Sequence, residues 1–163
     1  MSKMKEKTFL KLQRQFLALP LHHIDTSLIE EPDTTETGRQ CRKYLNVVGY
    51  NYRGKFSLPA LGELLLKIIY KLKIVHERYS ALDVITNWIE NKNIELYVPK
   101  NIGGLINEIK TRDTRIKETD AQILACAIED HSKIFVTLDA DLIGNKTLER
   151  EFSIKIRHPE ELI

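Results

Sequence analysis

Asp25, Glu63, Asp120 and Asp139 each stand where a segment with an apolar face to bury reaches its end. They are scattered along the chain, yet alternating strands and helices would carry such ends to one edge of a sheet. Carboxylates crowded together away from bulk water repel one another, and protons or a cation must offset that charge. Four at one edge therefore call for a divalent metal. Hard cations such as Mg²⁺ take oxygen ligands and keep several waters, so carboxylates alone are a sufficient supply. A metal held in this way activates water and neutralises charge on a phosphoryl group, which points to hydrolysis of phosphate esters.

Each acid also has a local reading. At 100° per residue, Asp120 shares a helix face with Ile123, Leu124 and Ala127 and so heads a stripe that must pack on the sheet; the plainer alternative is a first-turn aspartate favoured by the helix dipole. Asp139 follows Phe135 and Thr137 on one strand face and ends that strand, where functional groups of open α/β sheets gather. It would equally begin a turn with Asp141, whose own reading is a cap or an additional ligand. Asp25 ends the strand candidate Leu21 to Ile24, followed by Thr26 and Ser27, hydroxyls suited to a bound water or to a turn cap. Glu63 lies off the centre of its helix's apolar stripe with Lys67 four residues on, the spacing of a surface ion pair. His22 and His23 flank Asp25 and are read as structural.

The elements that must position these acids follow from periodicity. Residues 5–19 carry Phe9, Leu12, Phe16 and Leu19 at helical spacing and are closed by Pro20. A helix is expected from about 34–38 to 49, then a loop rich in tyrosine, glycine and basic residues. Pro59 opens a helix with Leu61, Leu64, Leu65, Ile68, Ile69 and Leu72 in phase. Another helix spans 76–91, a strand 94–98, and a helix runs from Gly103 to about Lys110. Thr119-x-x-Gln122 has the form of a capping box before AQILACAIED. KIFVTLD alternates Ile134, Val136 and Leu138 against Phe135, Thr137 and Asp139 and reads as an interior strand. IKIR at 154–157 is the last strand. Strands separated by helices predict an α/β fold with a mainly parallel sheet.

A chain of 163 residues with 42% hydrophobic and 29% charged residues fits one globular domain. No apolar run is long enough to span a bilayer, so no membrane partner and a cytoplasmic location are expected. Cys41 and Cys126 make neither a zinc spacing nor a disulfide framework. The formal charge of +2 is uneven: residues 1–19 carry a net +4, leaving the other 144 at −2. Arg39, Arg42, Lys43, Arg53 and Lys55 occur without an intervening acid and alternate with Tyr44, Tyr50 and Tyr52. Lys110, Arg112, Arg115 and Lys117 precede Asp120. Both clusters are candidate nucleic-acid contacts, cations for phosphates and tyrosines for unpaired bases, against the plainer reading of solvated faces.

HIDTSLIE around Asp25, LPALGELL around Glu63, ETDAQILACAIE around Asp120 and IFVTLDADL around Asp139 resemble, in this order, the PIN-domain family of metal-dependent nucleases. The resemblance covers residues 21–163 and leaves 1–20 as a helical extension. It implies a three-layer α/β/α sandwich with a parallel sheet of four or five strands. It also implies that Asp25, Glu63, Asp120 and Asp139, with Asp141 as an optional further ligand, hold Mg²⁺ or Mn²⁺, supported by the hydroxyls of Thr26 and Thr137. The implied activity is an endoribonuclease leaving a 5′-phosphate and a 3′-hydroxyl, of the VapC toxin type or the RNA-processing type. A toxin would be held by a small antitoxin, and homodimers are frequent in that branch. The alternatives are a DNA- or flap-directed nuclease and a non-catalytic RNA-binding scaffold.

Overall fold

A computed structural model describes residues 3–91 and 94–163. The first helix, α1 (Lys3–Leu17), precedes β1 (Leu21–Ile24), α2 (Ser27–Glu30) and α3 (Glu36–Leu45). Next come β2 (Arg53–Ser57), α4 (Leu58–Lys71), α5 (Val75–Asn91) and β3 (Glu95–Tyr97). The chain closes with α6 (Gly103–Arg112), α7 (Glu118–Glu129), β4 (Ile134–Val136), α8 (Lys146–Phe152), β5 (Lys155–Arg157) and a 3₁₀ turn, Pro159–Leu162. The five strands form one sheet in the order β3-β2-β1-β4-β5, and all four pairings are parallel. β1 lies at the centre, with His23 opposite Lys55 on one side and Phe135 on the other.

Strand alternation divides the core into two layers. Ile134, Val136 and Leu138 join Ile24, Tyr44, Leu64, Ile85 and Trp88 on one side of the sheet. Phe135 joins Leu124, Ala127, Ile109 and Ile156 on the other. Helices α3, α4 and α5 thus supply one outer layer and α6, α7 and α8 the other, the expected sandwich. The central strand is unusual in carrying two buried histidines, and each meets a partner. His22 Nδ1 lies 2.8 Å from the Tyr44 hydroxyl, with its ring stacked on Tyr52; burial lowers its pKa to about 4 and keeps it neutral. His23 Nε2 lies 2.8 Å from Asp130, which also accepts from Lys55 Nζ at 2.8 Å. Both are structural, as the sequence indicated.

Two expectations need correction. The basic stretch after α3 is not all loop: Arg53–Ser57 is β2, paired to the central strand. Gly54 conceals it, because a glycine weakens a strand pattern. Here it serves close packing, since a Cβ would stand 2.7 Å from Val48 Cγ2 and 2.9 Å from Ile24 Cδ1. The capping box at Thr119 does not form; α7 begins at Glu118 after Lys117, with no side-chain cap. The amphipathic helix read at 5–19 forms as α1 and leaves most of its apolar stripe in solvent. Phe9 and Leu12 are each 60% exposed, and the Arg53 guanidinium lies over the half-buried Phe16 ring at 5.5 Å. Among the described residues, no helix is long and apolar enough to cross a membrane.

Val48 and Ile24 are themselves buried, so Gly54→Ala forces both to move within a packed core. The expected loss is about 1–3 kcal/mol of unfolding free energy. Denaturant titration checks this, and an unchanged midpoint would reject the packing role.

Candidate metal centre

The carboxyl ends of β1 and β4 are neighbours, and this register brings the first pair of acids together. The Asp25 N–H donates to the Val136 carbonyl at 2.8 Å, extending the ladder one residue past the strands. The Thr137 hydroxyl then donates to Asp25 Oδ2 at 2.7 Å while accepting the Asp139 N–H at 3.0 Å. Ser27 acts in parallel, donating to the same Asp25 oxygen at 2.9 Å and accepting the Leu138 N–H at 3.3 Å. Two hydroxyls therefore fix the end of one strand against the end of the other.

Helices α4 and α7 bring the remaining acids. The Ser57 hydroxyl caps α4 by accepting the Ala60 N–H, and Pro59 sits in the first turn. This start points Glu63 toward the sheet edge. In α7, Ala121, Leu124 and Ala127 are buried against the sheet, and Asp120 heads that face. At the far end of α7, Asp130 is tied to His23 and Lys55, which fixes the helix from its opposite terminus.

Asp25, Glu63, Asp120 and Asp139 line one basin, together with Ser27, Glu30, Glu31, Thr119, Leu138, Lys67 and Lys117. The electrostatics record the crowding. Burial first, then the charges of Asp139, Asp25 and Glu63, raise the pKa of Asp120 to about 6, with Lys117 opposing. Asp25 is also raised, by burial first and then by the charge of Glu63, although Thr137 and Ser27 stabilise its ionised form. Lys67 pairs with Glu63 at 3.0 Å and with Glu30 at 2.9 Å. The ion pair read from the i,i+4 spacing is present, and Glu63 faces the basin as well.

The donor set is all carboxylate, with two hydroxyls holding Asp25, which fits a hard dication. Among the described residues, no group of three or more His, Cys, Asp or Glu side chains stands close enough together to hold a metal ion as it is placed here. The acids ring a shared space instead, an arrangement suited to an ion that retains several waters. Such a basin can gather a dication and a phosphate that bridges to it.

Other candidates from the sequence lie elsewhere. Asp141 is exposed and outside the basin; its N–H donates to Asp139 Oδ1 at 2.8 Å, so its backbone steadies the ligand candidate. The Thr26 hydroxyl neither lines the basin nor caps α2. It is buried and donates to the Ala60 carbonyl at 3.4 Å, linking the end of β1 to α4. Thr137 acts directly on two of the acids, as described above.

The basic residues singled out from sequence are mostly engaged in ion pairs. Arg39 pairs with Glu36, Arg53 with Glu95, Lys55 with Asp130, Arg112 with Glu151 and Arg115 with Asp113. Arg42 pairs with Asp33 and donates to the carbonyls of Leu28, Ile29 and Glu31 at the end of α2. Lys43 is exposed. None of these seven lines the basin. Tyr44 and Tyr52 are buried beside His22 and cannot stack on bases, whereas Tyr50 is 78% exposed. Glu30 and Glu31, which the sequence reading did not single out, line the basin because α2 turns back immediately after Asp25.

Asp120 gives a stability test. Its pKa rises on folding from 3.8 to about 6, so across that interval the folded protein holds a proton the unfolded chain has released. Stability contributed by this group is therefore lost as pH rises from about 4 to 6. Asp120→Asn should raise metal-free stability at pH 7.5 by about 1 kcal/mol, a figure discounted for solvent screening at this half-exposed site. It should give little gain at pH 4. Thermal melts in chelator at both pH values check this; a clear loss at pH 7.5 would instead mark a structural role.

No family model matches the chain, and no curated protein matches it significantly. Solved structures do. The FitAcB crystal structure from Neisseria gonorrhoeae superposes with a TM-score of 0.62 at 15% identity, covering 85% of this chain and 97% of that one. VapBC-1 from nontypeable Haemophilus influenzae gives 0.60 at 14% identity, covering 85% and 98%. VapBC2 from Rickettsia felis, bound to a DNA fragment from its promoter, gives 0.58 at 17% identity, again covering 85% and 98%. At these identities the likeness establishes architecture. The parallel five-stranded sandwich of this chain is the PIN-like fold that its four acidic segments resemble.

Proposed function

We propose that the protein is a metal-dependent endoribonuclease of the PIN-domain toxin type, hydrolysing RNA phosphodiester bonds at the four-carboxylate basin. The observation that carries this reading is the mutual electrostatic influence of Asp25, Glu63 and Asp139 on Asp120 across one basin. Without a cation the arrangement costs stability, and a fold that keeps it has a use for the cation.

Asp25, Glu63, Asp120 and Asp139 would hold Mg²⁺ or Mn²⁺. When bound, such an ion supplies a water of lowered pKa and offsets charge on the phosphoryl oxygens. The chain's own groups prepare for it. Thr137 and Ser27 fix the Asp25 carboxylate so that little reorganisation is needed on binding. Lys67 holds Glu63 at the rim. Asp120, protonated below about pH 6, must lose its proton before it serves as a ligand. The partner that fits this reading is a small antitoxin, as the neighbouring FitAcB and VapBC structures favour; a homodimer is a further element of the proposal.

Asp25→Asn and Asp120→Asn should each reduce Mg²⁺-dependent cleavage of an unstructured RNA by roughly 100-fold or more, the scale seen when one preorganised transition-state group is removed. Parallel reactions on a DNA strand of matched sequence separate RNA from DNA specificity. Undiminished cleavage by either variant, in protein freed of contaminating nuclease, would refute the reading.

Metal binding supplies a readout independent of turnover. Mg²⁺ at 100 times its dissociation constant should stabilise the wild-type fold by about 2.7 kcal/mol. The gain should grow as pH rises through about 6, where Asp120 loses its proton. A melting temperature insensitive to Mg²⁺ and Mn²⁺ at pH 7.5 would contradict a carboxylate metal centre.

A further inference from the structure

We infer that Lys67 and Lys117 are the phosphate-gripping residues of the basin, each holding a backbone phosphate of a single-stranded RNA beside the bond to be cut. This rests on the nuclease reading of the same site and names the groups that meet its substrate. A basin lined by Asp25, Glu30, Glu31, Glu63, Asp120 and Asp139 repels a polyanion, so productive binding needs cations inside it. Lys67 and Lys117 are the two basic residues lining it. They come from different elements. Lys67 lies one turn beyond Glu63 on α4, and Lys117 lies three residues before Asp120 at the start of α7.

Their present engagement differs. Lys117 is exposed and makes no ion pair among the described residues, although its charge reaches Asp120. Lys67 spans Glu30 and Glu63. An ammonium has three donors, so Lys67 held by Glu30 and Glu63 still has one to offer a phosphate. Among the described residues no aromatic ring lines the basin, so contact there is to the charged backbone and not to base faces.

Phosphate contacts have a signature that a structural ion pair lacks. For single strands, each lost contact makes the slope of log affinity against log salt less steep by about 0.7. The experiment measures anisotropy of a labelled single-stranded oligoribonucleotide across a salt series with Mg²⁺, in an Asp139→Asn background that removes turnover. Wild-type cleavage of the same oligonucleotide is scored alongside. Lys117→Gln and Lys67→Met should each weaken binding several-fold at moderate salt and flatten the slope by about 0.7. Lys117→Arg should restore the slope.

If the wild type cuts the oligonucleotide but both neutral variants keep the parental affinity and slope, this inference falls and the nuclease reading stands. If the wild type neither cuts nor binds, both fall together. A melting temperature lowered in Lys67→Met with an unchanged slope would assign that lysine to structure alone.

Discussion

Repulsion among four carboxylates at one end of a parallel sheet is the constraint that organises this molecule. The hydroxyl of Thr137 resists it most directly, donating to Asp25 and accepting from the backbone of Asp139, so that one side chain ties two strand ends while stabilising an ionised acid. Ser27 repeats the device from α2. Such bonds to a charged acceptor are worth more than neutral ones, on the order of 1.5–3 kcal/mol each. Their number matches the difficulty of holding Asp25 where it is. The remaining strain appears in Asp120, which has no comparable donors among the described residues and whose proton affinity is raised instead.

The same constraint explains the reinforcement at the other end of α7. A helix that delivers an acid into a negative basin must be held from behind, and Asp130 does this through His23 of β1 and Lys55 of β2. Lys55 also lies near Glu95, with Arg53 beside it on the same carboxylate. Three strands and one helix are thereby joined by charge. Residues that in sequence look like a nucleic-acid patch are thus part of the scaffold for the acids.

Much of this architecture was legible because it rests on local periodicity. The alternation through β4, the buried face of α7 and the apolar phase of α4 all follow from residue order, and they place Asp139, Asp120 and Glu63. The parts that escaped depend on partners distant in sequence. Arg53 and Lys55 looked unpaired because Glu95 and Asp130 lie 42 and 75 positions away. Gly54 masked β2 because its purpose, room for Val48 and Ile24, exists only after folding. The supposed cap at Thr119 failed because α7 starts two residues earlier, with Lys117 at the N-cap, which puts Thr119 inside the first turn. The likeness to FitAcB and VapBC at 14–17% identity shows the complementary point: a sandwich persists while most side chains change, so chemistry has to be argued from the basin itself.

The bond between Thr137 and Asp25 joins residues 112 positions apart, and the acids enter the basin from both ends of the chain. During synthesis, which proceeds from the N-terminus, Asp25 and Glu63 emerge long before Asp120 and Asp139. A nascent chain ending before α7 has two of the four acids and lacks the strand that aligns Asp25. On the proposed reading, competence for metal would therefore wait until α7 and β4 have been made and β4 has paired with β1.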